Sequence, residues 1–173
     1  MKYVVVDVEA DGEIPGTNCY SMVCFGAVVV DKEGKFDKTF YGKTKPISSK
    51  WKPEALKISG FSRAEHLKFD DPYEVMMNFK NWLKEQDKCI FISDNLAFDW
   101  QFINWYFHYF TGGNPFGFSG QRIGDKFQGF LNDPFYKWKK HRETYHDHNP
   151  VNDAKGNAEA LLYLYKQGYK LFK

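Results

Sequence analysis

Three short stretches of the sequence carry acids at spacings that could do chemistry. The first is "VVVDVEADG", residues 4–12, where an apolar run ends on Asp7, Glu9 and Asp11. Side chains alternate faces along a strand, so Asp7 and Glu9 point the same way with Cα atoms about 6.5–7 Å apart. Acids are unfavourable in central strands, and buried anions need partners. A divalent cation is the strongest available. The second stretch is "SDNLAFDWQF", residues 93–102, where a strand ends and a helix begins with Asp99 in its first turn. The third is "HDHNPVNDAKGNAEAL", residues 146–161. There Asp153 opens the last helix and His148 lies five residues earlier.

Each stretch also has a plain reading. An isolated D-x-E fits a strand end whose acids are hydrated. A helix start favours an acid such as Asp99 for dipole reasons alone. Asn95 suits a turn or a helix cap. A lone loop histidine such as His148 is more often solvated than catalytic, and His146 sits close by. Asp11 precedes Gly12, and Asp-Gly is a turn signal, so Asp11 reads as turn chemistry first.

The elements that would hold these residues are legible. Residues 3–8 read as a buried central strand, 21–30 as a second and 35–43 as a third. "DKEG" (31–34) makes a hairpin turn between the last two. The chain therefore opens as a three-stranded antiparallel meander. Residues 44–71 look irregular, with one helical turn at 53–58. Asp71-Pro72 caps a helix over 72–85, whose Val75, Met76, Phe79, Trp82 and Leu83 follow helical spacing. "CIFIS" (89–93) is a short strand and 97–110 a helix. That helix is aromatic nearly all round and reads as core, with outer rings available for a homodimer contact. Residues 121–125 suggest a last strand leading into a helix near 125–131. A long irregular connection spans 132–150. The final helix spans about 152–167, with Gly168 as its stop. Its Gly156, Asn157 and Ala160 are small enough to let that face approach a sheet or a metal centre closely. The order βββ–α–β–α–β–α predicts an α/β fold, a mixed sheet flanked by helices, in a single domain over 1–173.

Composition narrows the class. The 24 Lys and Arg against 22 Asp and Glu make the chain mildly basic, which neither demands nor excludes nucleic acid. Aromatic residues at 19% exceed core needs and leave rings for a binding surface. Cys19, Cys24 and Cys89 have no metal-type spacing, and Cys24 and Cys89 read as buried thiols. No run approaches a membrane span or a secretory h-region. The expectation is an intracellular, cytoplasmic protein.

In order and context the three stretches resemble the three exonuclease motifs of the DEDDh group. They are D-x-E ending the first strand, N-x-x-F-D at a helix start and H-x4-D at the last helix start. That group is the DnaQ-like 3′→5′ exonuclease family, and the resemblance runs from Val4 to about Leu164. It implies an RNase H-like fold. It places the family's four acids on Asp7, Glu9, Asp99 and Asp153, and its general base on His148, since His146 lacks the five-residue offset to Asp153. Two positions depart from the pattern. Asp94 stands where the family often has His, and Ala10 where it often has Thr, so backbone groups at Ala10 would contact the terminal sugar. Asp125 follows a plausible last strand, but no family motif places a ligand there.

Such a set suits phosphodiester hydrolysis. Hard oxygen ligands hold Mg²⁺ or Mn²⁺. Two ions per site, about 3.5–4 Å apart, clamp the attacking and leaving oxygens. A histidine can take a proton from water near neutral pH. The implied function is a metal-dependent 3′→5′ exonuclease on single-stranded RNA or DNA with a free 3′ end, releasing 5′-monophosphates. The rivals are a non-catalytic nucleic-acid-binding module and a proofreading component docked on a polymerase. Asn95 joins the substrate contacts on this reading. So do Lys139 and Lys140, in the basic and aromatic stretch "FYKWKKHRETYHDH" (135–148). A solvated loop with its rings packed down explains that stretch equally well. Phe61 in "ISGFS" (58–62) is a stacking candidate for the terminal base, or a ring covering the sheet edge.

Overall fold

The computed structural model describes residues 1–172. Five strands, β1 (Lys2–Ala10), β2 (Met22–Val29), β3 (Thr39–Lys43), β4 (Cys89–Ser93) and β5 (Gly120–Arg122), form one sheet in the order β3-β2-β1-β4-β5. β1 pairs antiparallel with β2, and β2 with β3; β1 pairs parallel with β4, and β4 with β5. The expected antiparallel meander joined to parallel strands is therefore present. β1 lies in the middle of the sheet and is covered on both faces, which is why its apolar run is nearly continuous.

The two faces of β1 serve different cores. Val4, Val6, Val8 and Ala10 pack on one side with α3 (Pro72–Glu85) and α4 (Leu96–Thr111). Val5 packs on the other with α5 (Ile123–Leu131) and α6 (Pro150–Lys166). By the strand period of two, Asp7 and Glu9 share the α6 face with Val5. Gly26 of β2 pairs with Asp7. A Cβ on Gly26 would lie 2.3 Å from the Pro150 carbonyl carbon. Only a glycine lets α6 begin this close to the sheet, and that approach carries Asp153 to Asp7.

Several boundaries differ from expectation. β3 starts at Thr39 rather than Lys35. Phe36 has a φ of 47° and is buried in the α6-side core, so the chain turns in to bury that ring before the strand begins. β5 ends at Arg122, and Ile123 already belongs to α5, whose apolar face it extends. The 44–71 segment holds the expected helix α1 (Pro53–Ile58). It also holds a short helix, α2 (Arg63–His66), started by a Ser62–Glu65 capping box. Cys24 is buried as expected. Cys89 is only partly buried; it starts β4, with its thiol against the Leu83 and Asp87 carbonyls. No helix among the described residues is long and apolar enough to cross a membrane.

Candidate active site

The four acids implied by the resemblance lie close together. One oxygen each of Asp7, Glu9 and Asp153 lies within 4.8 Å of the others. Asp99 joins through the backbone: the Val8 N–H, between Asp7 and Glu9, donates to Asp99 Oδ1 at 3.1 Å. β1 and β4 last pair at Val5 and Ile92. Beyond that point β1 is released from β4, and α4 supplies the acceptor instead. The site thus sits past the carboxyl ends of two parallel strands, where open α/β sheets place ligands.

The electrostatics fit a cation site. Burial pushes the Asp7 carboxyl well above the usual range; the carboxylates of Asp99, Glu9 and Asp153 add to this, and Arg142 pulls the other way. Glu9 is pushed up to about 7, chiefly by burial and then by Asp153. Asp99 is pushed up to about 8 by burial, against the nearby Ser93 hydroxyl and the Val8 amide. Asp99 Oδ2 and Asp153 Oδ2 are buried without a hydrogen-bond partner among the described residues. Crowded carboxylates with bare oxygens repel one another unless a cation sits among them. The donor set is all oxygen, which suits Mg²⁺ or Mn²⁺ over a thiolate-loving ion.

Two histidines border the acids. His148 Nδ1 lies 3.5 Å from Glu9 Oε1, and His146 Nδ1 lies 2.6 Å from Asp153 Oδ1. Their ring centroids are 4.4 Å apart. Both are about half exposed, with solvent on one side and carboxylates on the other. His148 holds a left-handed backbone, φ 60°. Asp147 braces it by accepting from Asn149 N at 3.0 Å and from Asn152 Nδ2 at 2.8 Å. The five-residue offset singled out His148; the contact of His146 with Asp153 could not be read from spacing.

The other sequence candidates have surroundings of their own. Ala10 ends β1 and is buried, with its pairing to Met22 shifted by an irregularity after Glu9. Asn95 caps α4 by position, but its side chain makes no cap hydrogen bond. Lys139 pairs with Asp94 at 2.5 Å, tying the basic loop to the turn before α4. Lys140 lies over the Tyr136 ring. Tyr136, Trp138 and His141 pack against Phe127, so much of that loop's aromatic content is structural. Phe135 and Tyr145 remain exposed. Phe61 packs edge-on to Phe69 at 4.9 Å, beside Val23, Cys24 and Leu56. Asp125 is exposed and paired with Arg122, away from the cluster.

Two residues do more than their sequence context suggests. Asp11 is more than a turn residue. It is fully buried, accepts from Ser21 N at 2.6 Å and pairs with Arg63 at 2.9 Å. It locks the loop after β1 to α2. Gly156 faces neither sheet nor metal centre; its open side is filled by Arg142 and the Thr144 carbonyl. Arg142 was legible only as one positive charge in a basic loop, yet it donates to Asp153 Oδ1 at 2.9 Å. The small face of α6 was its signal.

No family model matches the sequence. The chain is 36% identical over 183 residues to the 3′-5′ DNA exonuclease Cap18 of Escherichia coli, covering 97% of this chain and 94% of that protein. Among solved structures it resembles the nuclease domain of 3′hExo, a DEDDh family member bound to rAMP. That match has a TM-score of 0.78 at 16% identity, over 99% of this chain and 94% of that one. It also resembles Escherichia coli Exonuclease I in complex with a dT13 oligonucleotide. Here the TM-score is 0.73 at 16% identity, over 99% of this chain but 42% of the larger enzyme. The fold is RNase H-like. The chain belongs to the DEDDh family of 3′→5′ exonucleases.

Proposed function

We propose that the protein hydrolyses single-stranded DNA from a free 3′ end, releasing nucleoside 5′-monophosphates, with two Mg²⁺ or Mn²⁺ ions held by Asp7, Glu9, Asp99 and Asp153. The observation that carries this reading is the convergence of Asp7, Glu9 and Asp153, with Asp99 docked beside them by the Val8 amide and two buried oxygens without a partner among the described residues. DNA is favoured over RNA by the name of the Escherichia coli relative. When bound, the ions supply charge neutralisation and Lewis acidity at the scissile phosphate.

The chain's own residues do the rest. Asp7 lies within the influence of Asp99, Glu9 and Asp153 alike, so its carboxylate would help to hold the ions. Glu9, Asp99 and Asp153 complete the shells. His148 takes the proton of the attacking water. Glu9 beside Nδ1 orients the ring and stabilises the imidazolium that forms. Asn95, the backbone at Ala10, Phe61, Lys139 and Lys140 contact the substrate strand. Lys139 and Lys140 meet phosphates through charge, and Phe61 meets a base by stacking.

The test is a product time course on matched 5′-labelled DNA and RNA oligonucleotides, with free and paired 3′ ends, in Mg²⁺ or Mn²⁺. Stepwise shortening by the wild type, abolished in Asp7→Ala, is expected. Undiminished cleavage by Asp7→Ala would place the chemistry elsewhere.

A further inference from the structure

We infer that Arg142 is a positioning residue that fixes the Asp153 carboxylate for divalent-ion binding, and that Gly156 is the residue that admits it. The inference rests on the two-ion reading of the acid cluster.

Arg142 reaches the site from the loop before α6 and is nearly enclosed, with 9% of its side chain exposed. Its Nη2 donates to Asp153 Oδ1 at 2.9 Å and lies 3.5 Å from the Asp153 carbonyl oxygen. His146 Nδ1 meets the same Oδ1 at 2.6 Å. One carboxylate oxygen is thus held by the protein from two sides. The other, Oδ2, is buried and has no partner among the described residues. That is the arrangement in which outer partners orient a ligand and leave one atom for the ion.

α6 is shaped to receive the guanidinium. A Cβ on Gly156 would lie 2.6 Å from Arg142 Nε and 2.9 Å from the Thr144 carbonyl oxygen. Glycine in mid-helix is roughly 1 kcal/mol less favourable than alanine. Here the space it leaves is filled by a cation. One turn on, Glu159 accepts from Glu143 N at 2.8 Å, from Thr144 N at 2.7 Å and from the Thr144 hydroxyl at 2.7 Å. Asp153, Gly156 and Glu159 lie three residues apart along one side of α6, so the helix grips the 142–144 segment at three successive points. The grip fixes where Arg142 begins; the Gly156 space fixes where it ends.

A plain counter-charge would behave differently. A cation beside a cation site competes with it, so its removal should tighten ion binding. A positioning residue should weaken ion binding when it is removed or displaced. Mn²⁺ titration by calorimetry separates the two, on wild type, Arg142→Met, Arg142→Lys, Gly156→Ala and Asp7→Ala, with melting in chelator as the check on folding. We expect about tenfold weaker Mn²⁺ binding in Arg142→Met and Gly156→Ala, and partial recovery in Arg142→Lys. Gly156→Ala alters no charge and no ligand, so weakening there reports the displaced segment. If that variant does not fold, the two Arg142 variants carry the test. Binding as tight as wild type, or tighter, in Arg142→Met overturns the inference while leaving the two-ion reading intact. Wild type that binds no Mn²⁺ in an Asp7-dependent way overturns the two-ion reading itself.

Discussion

The Val8 amide donates to Asp99 Oδ1 across 91 residues of sequence. Through this one bond α4 is docked onto β1 between the two acids that β1 contributes. It occupies one Asp99 oxygen and leaves Oδ2 bare. Asp99 therefore has a structural task and a proposed ligand task on separate atoms, and a substitution can separate them.

Asp99→Asn retains an oxygen acceptor for Val8 and removes the charge. We expect the melting temperature in chelator to hold or rise, since the variant relieves the crowding of buried carboxylates. Activity should fall by at least about a hundredfold, the loss of roughly 3 kcal/mol of transition-state stabilisation. Circular dichroism melts beside single-turnover cleavage provide the check. A fall in both together would mean that the substitution breaks the Val8 hydrogen bond.

The two histidines should differ in rank. His148→Gln is expected to lower single-turnover cleavage by about 10²–10⁴-fold at saturating Mn²⁺, the range for a general base. His146→Gln should have a smaller effect on that rate and act through ion affinity, because it meets Asp153. Equal losses in the chemical step would assign the base wrongly.

Stability should depend on pH with a definite sign. Free carboxyls titrate near 4, while folded Glu9 and Asp99 are raised to about 7 and about 8. The folded state therefore holds more protons across that window, and stability falls as pH rises through it. His66 acts in the opposite sense at lower pH. Burial pushes it down from 6.5 to about 4, so its contribution is full above 6.5 and lost as pH falls towards 4. In chelator, melting should fall from about pH 4.5 to about pH 8, more steeply above about 6.5 where His66 no longer opposes the loss, and level off beyond. Mn²⁺ should restore more at the upper end, because it binds the ionised acids. A flat profile in chelator would mean the acids are not crowded as described.

Arg63 pairs with the fully buried Asp11 and also donates to Ser48 O at 3.1 Å. Arg63→Met leaves that carboxylate without its ion partner, a loss of about 3–5 kcal/mol. Melting should fall by on the order of 10 °C. Arg63→Lys should recover part of it. A change under about 2 °C in Arg63→Met would show that the Ser21 amide alone suffices.

Lys139 and Lys140 test the substrate path. If both meet phosphates, Lys139→Gln with Lys140→Gln should reduce the salt slope of single-strand binding by about 0.7 for each phosphate no longer neutralised. Lys139 already pairs with Asp94, so its share should be the smaller one. An unchanged slope removes this loop from the path.

Much of the molecule was legible in one dimension. Strand alternation put Asp7 and Glu9 on one face and helix starts put Asp99 and Asp153 in first turns, local rules that a sequence carries whole. The choice of these four acids and of His148 came from the resemblance to the DEDDh motifs and their five-residue offset. Boundaries failed where a distant contact overrode the local rules. Phe36 leaves the strand because a core on the far side of the sheet takes its ring. The Ser62–Glu65 capping box is written in the sequence too, but the breakers around it mask the signal.

What tertiary structure alone decided is which groups meet. Gly26 is an ordinary strand glycine until α6 is found lying on it. Asp11 reads as a turn until Arg63 arrives from 52 residues away. Arg142 is one basic residue among several until the Gly156 space and the Asp153 carboxylate place it. Residue types fix which atoms can bond and backbone periodicity fixes which way they face. Burial and close approach across the sheet fix their partners, and these depend on every element at once.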